Sequence, residues 1–268
     1  MYHRDGHIHS PYCPHGSSDS FKQYIERGIQ LGYSEMTFTE HAPLPEQFVD
    51  PVPLKDSGMK MAHLEKYIDD LTIIKKEYEN DIKINIGLEV DYIEGYEKET
   101  TDFLHEWGDM LDDSILSVHF IQYSPGNYIC LDYSPDSFKY LIDHYSSLET
   151  VYQRYFDTLN LSITSELGPF KPKRIGHITL VRKFQELFPR TFEDNVYIQK
   201  ILKDIKNHNY SLDVNGAGLI KPHCKEIYPP LLYIHEARKL GIPLIYGSDA
   251  HAAKQLGQGL AECKHILY

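Results

Sequence analysis

The chain has 268 residues, of which 41% are hydrophobic and 25% charged, with 21 tyrosines and 11 phenylalanines. This is ample material for a core and excludes a largely disordered chain. A formal net charge of −12 opposes non-specific attraction to a nucleic-acid backbone, and no apolar run is long enough to span a bilayer.

The four cysteines, Cys13, Cys130, Cys224 and Cys263, are scattered, without zinc-finger spacing or the density of a disulfide scaffold. The opening Met1-Tyr2-His3-Arg4-Asp5 lacks the apolar stretch of a signal peptide, so a cytoplasmic protein is expected. Neither an internal repeat nor a Gly/Ser-rich linker divides the chain, and one domain over residues 1–268 is expected.

In chain order, short β-rich runs alternate with longer amphipathic stretches, the pattern of parallel βα units. Strands are expected in the opening segment up to His9 and at 35–39, 82–90, 115–120, 174–179, 211–215 and 243–247. Helices are expected near 20–31, 61–78, 96–111, 147–163, 193–207 and 230–240. The stretch 122–135 is more polar and reads as an irregular loop or small hairpin over one barrel mouth, a candidate substrate lid. The segment from Gln255 onward is expected to close the structure.

Ligand-type residues recur at the ends of these runs. Asp5-Gly6-His7-Ile8-His9-Ser10 ends the first, and alternation along a strand turns both imidazoles the same way, toward one cation. His15 follows in a loop, and Thr39-Glu40-His41-Ala42-Pro43 ends the second run. Glu89 ends the third, where a buried carboxylate is costly unless paired or metal-bound. His119, His177 and the pair Asp249 and His251 end later runs.

The C-terminal ends of barrel strands converge on one mouth, so residues scattered along the sequence would meet there. Any one of 15 histidines could fall near a strand end by chance; the joint placement points to a metal centre. His3, His63, His105, His144, His208, His235 and His265 lack this placement and are assigned to surface or packing. Cys13 is read as an ordinary loop thiol rather than a soft ligand. Glu40 is read as structural or as support for a ligand.

The set Asp5-Gly-His7-x-His9-Ser10, Glu40-His41, Gly87-Leu88-Glu89, Ser117-Val118-His119, Gly176-His177 and Ser248-Asp249-Ala250-His251 resembles the polymerase-and-histidinol-phosphatase (PHP) superfamily. The His15 loop, Thr39-Glu40-His41-Ala42-Pro43 and Gly218-Leu219-x-Lys221-Pro222 look like its monofunctional histidinol-phosphatase branch. The resemblance implies an α/β fold, a distorted (β/α)7 TIM-like barrel. It also implies hydrolysis of the small phosphate monoester L-histidinol phosphate to L-histidinol and phosphate, in histidine biosynthesis, by a metal-bridged hydroxide.

Three divalent metal ions, zinc, manganese or iron, are implied. His7, His9, Glu89 and Asp249 would hold one, Glu89, His119 and His177 a second, and His15, His41 and His251 a third. Asp249 or His251 would position the nucleophile or protonate the leaving alcohol.

Where this branch often carries a phosphate-binding arginine, Ile220 stands. Lys221 or His223 would substitute there, and Arg182, five residues after His177, is the leading cation for the phosphoryl oxygens, with Arg154 and Arg190 behind it. The alternatives are a PHP phosphoesterase for another small phosphorylated metabolite and a non-catalytic metal-binding PHP module. No nucleic-acid or membrane partner is expected, and no oligomeric state is implied.

Overall fold

The computed structural model describes residues 4–267. Its strands are β1 Arg4–Ile8, β2 Glu35–His41, β3 Lys83–Asp91, β4 Ile115–Ser117, β5 Phe120–Ser124, β6 Asn127–Cys130, β7 Arg174–Ile175, β8 Ser211–Asn215 and β9 Leu244–Gly247. All but β5 and β6 form one seven-stranded sheet in chain order, with parallel neighbours. The ends meet just past the last strand. The His9 N–H donates to the Ala250 carbonyl (3.0 Å) and the Asp249 N–H to the His7 carbonyl (2.7 Å), nearly closing the barrel beside the proposed ligands.

The helices are α1 Phe21–Gln30, α2 Met61–Glu77, α3 Glu97–Trp107, α4 Pro135–Tyr145, α5 Leu148–Thr164, α6 Asn195–Asn207, α7 Leu231–Lys239 and α8 Leu260–Leu267. Helix α1 starts at a capping box in which Ser20 and Gln23 each satisfy the other's backbone N–H. Its Phe21 and Tyr24 meet Phe38 edge-on, at ring separations of 5.1 and 6.1 Å. All seven residues of β2 are buried, as a barrel strand covered on both faces requires. Since Phe38 faces α1, Thr37 and Thr39 face the barrel interior.

Below the proposed site the interior is filled by Arg174, whose guanidinium pairs with Asp113 at 3.1 Å. Glycine at position 6 makes room for this packing, because a Cβ there would lie 2.2 Å from Arg174 Nη1 and 2.6 Å from Ile245 Cγ2 and both side chains would have to move. Among the described residues no helix is long and apolar enough to cross a membrane.

The expected 115–120 strand is divided. Strand β4 ends at Ser117, and after His119 the chain turns into the antiparallel β5–β6 hairpin, with Gly126 at positive φ in its turn. A satellite cluster of Phe48, Val52, Ile93, Phe120 and Cys130 mounts this hairpin beside the mouth. The expected 174–179 strand is shorter, because the Leu180 N–H bonds the His177 carbonyl (2.8 Å) and the chain winds into a 3-10 turn, Leu180–Arg182.

Helix α4 was not anticipated, although its signal is present: Ser134 accepts from the Ser137 N–H (3.1 Å) and Pro135 occupies the first turn. His63, His105, His144, His235 and His265 lie on α2, α3, α4, α7 and α8, and His208 ends α6. His3 lies outside the described residues.

Candidate metal centre

The centre is organised by Glu89, at the end of β3 and 1% exposed. Its Oε2 lies 3.4 Å from His7 Nε2, 3.6 Å from His9 Nε2 and 3.2 Å from His41 Nδ1. Its Oε1 lies 2.9 Å from His177 Nε2 and 3.8 Å from His119 Nε2, and accepts from Ser117 Oγ at 2.6 Å. One carboxylate thus addresses two separate groups of imidazoles.

Asp249 faces the first group. Its Oδ1 is 3.2 Å from His9 Nε2, 3.5 Å from His251 Nδ1 and 4.0 Å from His7 Nε2. It has φ of 53°, a left-handed conformation that aspartate tolerates better than most residues.

Three ligand candidates are held from behind. Asp213 contacts His7 Nδ1 at 3.0 Å, Glu40 contacts His9 Nδ1 at 3.2 Å, and Asp91 contacts His119 Nδ1 at 2.8 Å. Each contact fixes the ring and turns its Nε2 lone pair inward, the usual support for a metal-binding histidine. Glu40 was anticipated in this role, whereas Asp213 and Asp91 were missed. Asp91 had a signal, since it follows Glu89 by two positions on a strand and shares its face.

Crowding perturbs these groups strongly. Burial would raise the Glu89 carboxyl, but His7, His119 and His177 hold it well below the usual carboxylate range. Burial likewise opposes ionisation of Asp249, and His7, His9 and His251 overcome it. Burial would lower His9 and His119, yet Asp249 and Glu40 push the first up to about 9, and Asp91 and Glu89 push the second up to about 10. His41 and His251 fall well below the ordinary value through burial and the charge of His9.

The donors fit divalent cations. His7 Nε2, His9 Nε2 and His41 Nδ1 are buried without a hydrogen-bond partner, and each faces Glu89. Among the described residues three groups have donor atoms within 4.8 Å of one another: His7, His9 and Glu89; Glu89, His119 and His177; and His9, Cys13, His41 and His251.

In the third group Cys13 stands where His15 was expected. His15 is exposed, its Nδ1 contacts the Asp56 carbonyl at 2.9 Å, and its ring centroid lies 5.1 Å from those of both His41 and His251. Cys13 is therefore closer to the donors than an ordinary loop thiol, but burial and the Glu40 carboxylate push its ionisation far above the usual range.

Over this cluster opens a cavity of about 410 Å3, lined by seven of the nine proposed ligands; His7 and His9 lie beneath its surface. The PHP domain model matches residues 5–217.

The chain belongs to the PHP domain family.

It is 48% identical to the histidinol-phosphatase of Bacillus subtilis, over 96% of both chains. It is 28% identical to a probable histidinol-phosphatase of Deinococcus radiodurans, over 96% of this chain and 90% of that one. The crystal structure of hisK from Listeria monocytogenes superimposes with a TM-score of 0.91 at 38% identity, covering 97% of this chain and 99% of that one. The same PHP architecture recurs in the Lactococcus lactis histidinol phosphate phosphatase, solved with zinc, L-histidinol and phosphate, at a TM-score of 0.73 and 19% identity, covering 99% and 92%.

Of the three residues expected to hold phosphate, Arg182, Lys221 and His223, the structure places only Lys221 on the cavity wall. Arg182 does not line the cavity: its Nε and Nη2 donate to Asp194 at 2.9 and 2.7 Å, and its Nη1 donates to Glu226 at 2.9 Å. The 3-10 turn after His177 directs the neighbouring Lys183 to the cavity instead. Lys221 and Ile220 line the cavity, whereas His223 does not. Arg154 bonds Glu94, Arg190 bonds Tyr152 and Gln185, and neither lines it.

Proposed function

We propose that the chain is a metal-dependent phosphomonoester hydrolase that converts L-histidinol phosphate to L-histidinol and phosphate. The observation that carries the chemistry is the division of His7 and His9 from His119 and His177 between the two oxygens of Glu89, an arrangement that would let one carboxylate serve two cations. The substrate assignment rests on the 48% identity to the Bacillus subtilis histidinol-phosphatase across nearly the whole of both chains.

His7, His9, Glu89 and Asp249 would hold one divalent cation, and Glu89, His119 and His177 a second. His15, His41 and His251 would hold a third. Imidazole and carboxylate donors suit zinc, manganese or iron. When bound, such cations supply Lewis-acid charge to phosphoryl oxygens and lower the pKa of a coordinated water.

The protein's own groups do the remainder. Asp249, held ionised, accepts a hydrogen bond from the attacking water and orients it. His251 is held neutral beside it, which suits a ligand more than a proton donor. Lys183 and Lys221 hold phosphoryl oxygens from the cavity wall, the role expected of Arg182. Val52, Phe120, Tyr133 and Tyr228 add apolar wall to the cavity, and the lower dielectric beside them strengthens these charged contacts.

The test is phosphate release from L-histidinol phosphate and from a panel of phosphorylated metabolites. Strong preference for histidinol phosphate is expected. Turnover of another ester alone would keep the hydrolase and discard the substrate.

A further inference from the structure

Two elements that begin at proposed metal ligands bring opposite charges together on the cavity wall. The 3-10 turn that starts at His177 carries Lys183, and the hairpin that starts beside His119 leads to Asp132. Both bases are fixed, because the Leu180 N–H donates to the His177 carbonyl (2.8 Å) and the Leu131 N–H to the His119 carbonyl (3.0 Å). Lys183 Nζ donates to Asp132 Oδ2 at 2.8 Å, and both residues line the cavity. The pair is therefore held in register with the cluster below it.

The partners retain capacity for a ligand. An ammonium has more donors than this bond uses, and an ionised carboxylate has more acceptor sites than Lys183 and the weak Cys130 thiol donor occupy. Such a pair, partly withdrawn from water, gains little for stability from its mutual attraction alone. The 2.8 Å bond to the Lys183 ammonium favours the ionised form of Asp132.

Resting on the phosphatase reading above, we propose that Asp132 is a specificity-determining residue that binds the ammonium group of an amino-alcohol phosphate ester, while Lys183 beside it holds the phosphoryl end. In such an ester the amine stands on the carbon next to the one bearing the ester oxygen, so an anion and a cation lie side by side. The wall presents the complementary charges in the same adjacency. Asp56 also lines the cavity, but no lysine or arginine pairs with its carboxylate among the described residues. Phosphate esters without the amine leave Asp132 without its ligand and bind less well.

The experiment compares L-histidinol phosphate with its des-amino analogue, 3-(imidazol-4-yl)propyl phosphate, on the metal-loaded wild type and on Asp132→Asn. The wild type is expected to favour the amino ester through a KM lower by about tenfold to a hundredfold, the range of one charged hydrogen bond. Asp132→Asn is expected to lose that preference by raising KM for the amino ester alone, and Asp132→Glu to recover part of it. Equal losses on both esters, or an undiminished preference, would overturn the inference.

A second measurement uses only the wild type, so poor folding of the variant does not remove the test. L-histidinol is expected to inhibit more strongly than 3-(imidazol-4-yl)propan-1-ol, and equal inhibition counts against the role of Asp132. A wild type that hydrolyses both esters equally well overturns this inference and leaves the phosphatase reading standing. Hydrolysis of neither overturns both.

Discussion

Asp213 Oδ2 stands 3.0 Å from His7 Nδ1, with both side chains fully buried. The carboxylate sits on β8 and the imidazole on β1, so barrel closure itself aims His7 Nε2 at Glu89. Removing this support is expected to weaken metal binding without removing a ligand. Asp213→Asn should lower metal affinity by about tenfold to a hundredfold, measured by equilibrium dialysis with elemental analysis. Affinity equal to that of the wild type would make Asp213 a packing residue.

Glu89 is expected to matter more than any single histidine, because among the described residues it alone faces both imidazole groups. Glu89→Gln keeps the shape and removes the charge. It should reduce the number of ions bound per chain and lower kcat by about a thousandfold or more, the scale of losing a central electrostatic group. Metal counting on the purified variant, paired with phosphate release, checks both parts.

Arg182 and Lys183 are neighbours with separable roles. Arg182→Met strips the guanidinium that holds both Asp194 and Glu226 and leaves Asp194, 3% exposed, with only the distant Arg190 Nε at 3.9 Å. The expected cost is about 3 to 5 kcal/mol of stability, read from urea denaturation. Lys183→Met should leave the denaturation midpoint much nearer to wild type while lowering kcat/KM for phosphate esters. The reverse pattern would restore Arg182 to the cavity.

Metal removal should destabilise the fold in a pH-dependent way. In the metal-free protein His9 and His119 have pKa values raised to about 9 and about 10, because Asp249, Glu40, Asp91 and Glu89 overcome burial. A raised histidine pKa adds stability below the unfolded value of about 6.5 and loses it as pH rises through the folded value. The stripped protein should therefore lose this contribution between about pH 6.5 and pH 10. Bound cations replace those protons, so the loaded protein should show a higher melting temperature and a flatter profile there. Melting curves of both forms across that window decide it.

Much of this was legible because parallel strands deliver their last residues to one mouth. His7, His9, His41, Glu89, His119, His177 and Asp249 stand at or just beyond strand ends, a position that hydrophobic alternation reveals. Which of Arg182 and Lys183 reaches the cavity was not legible, since it depends on the phase of a short 3-10 turn set by successive backbone bonds that begin at the His177 carbonyl. The Asp213–His7 contact was hidden for another reason: it joins residues far apart in sequence through barrel closure. Cys13 and His15 share a loop, and only its folded path places the thiol beside His9, His41 and His251.

The most direct test of the central claim is a metal titration of chelator-stripped protein, following phosphate release from L-histidinol phosphate as manganese, zinc or iron is restored. Activity is expected to be absent in the stripped protein and to rise with loading until the sites that Glu89 would share are filled. Full activity in protein shown by elemental analysis to be free of metal would contradict the account.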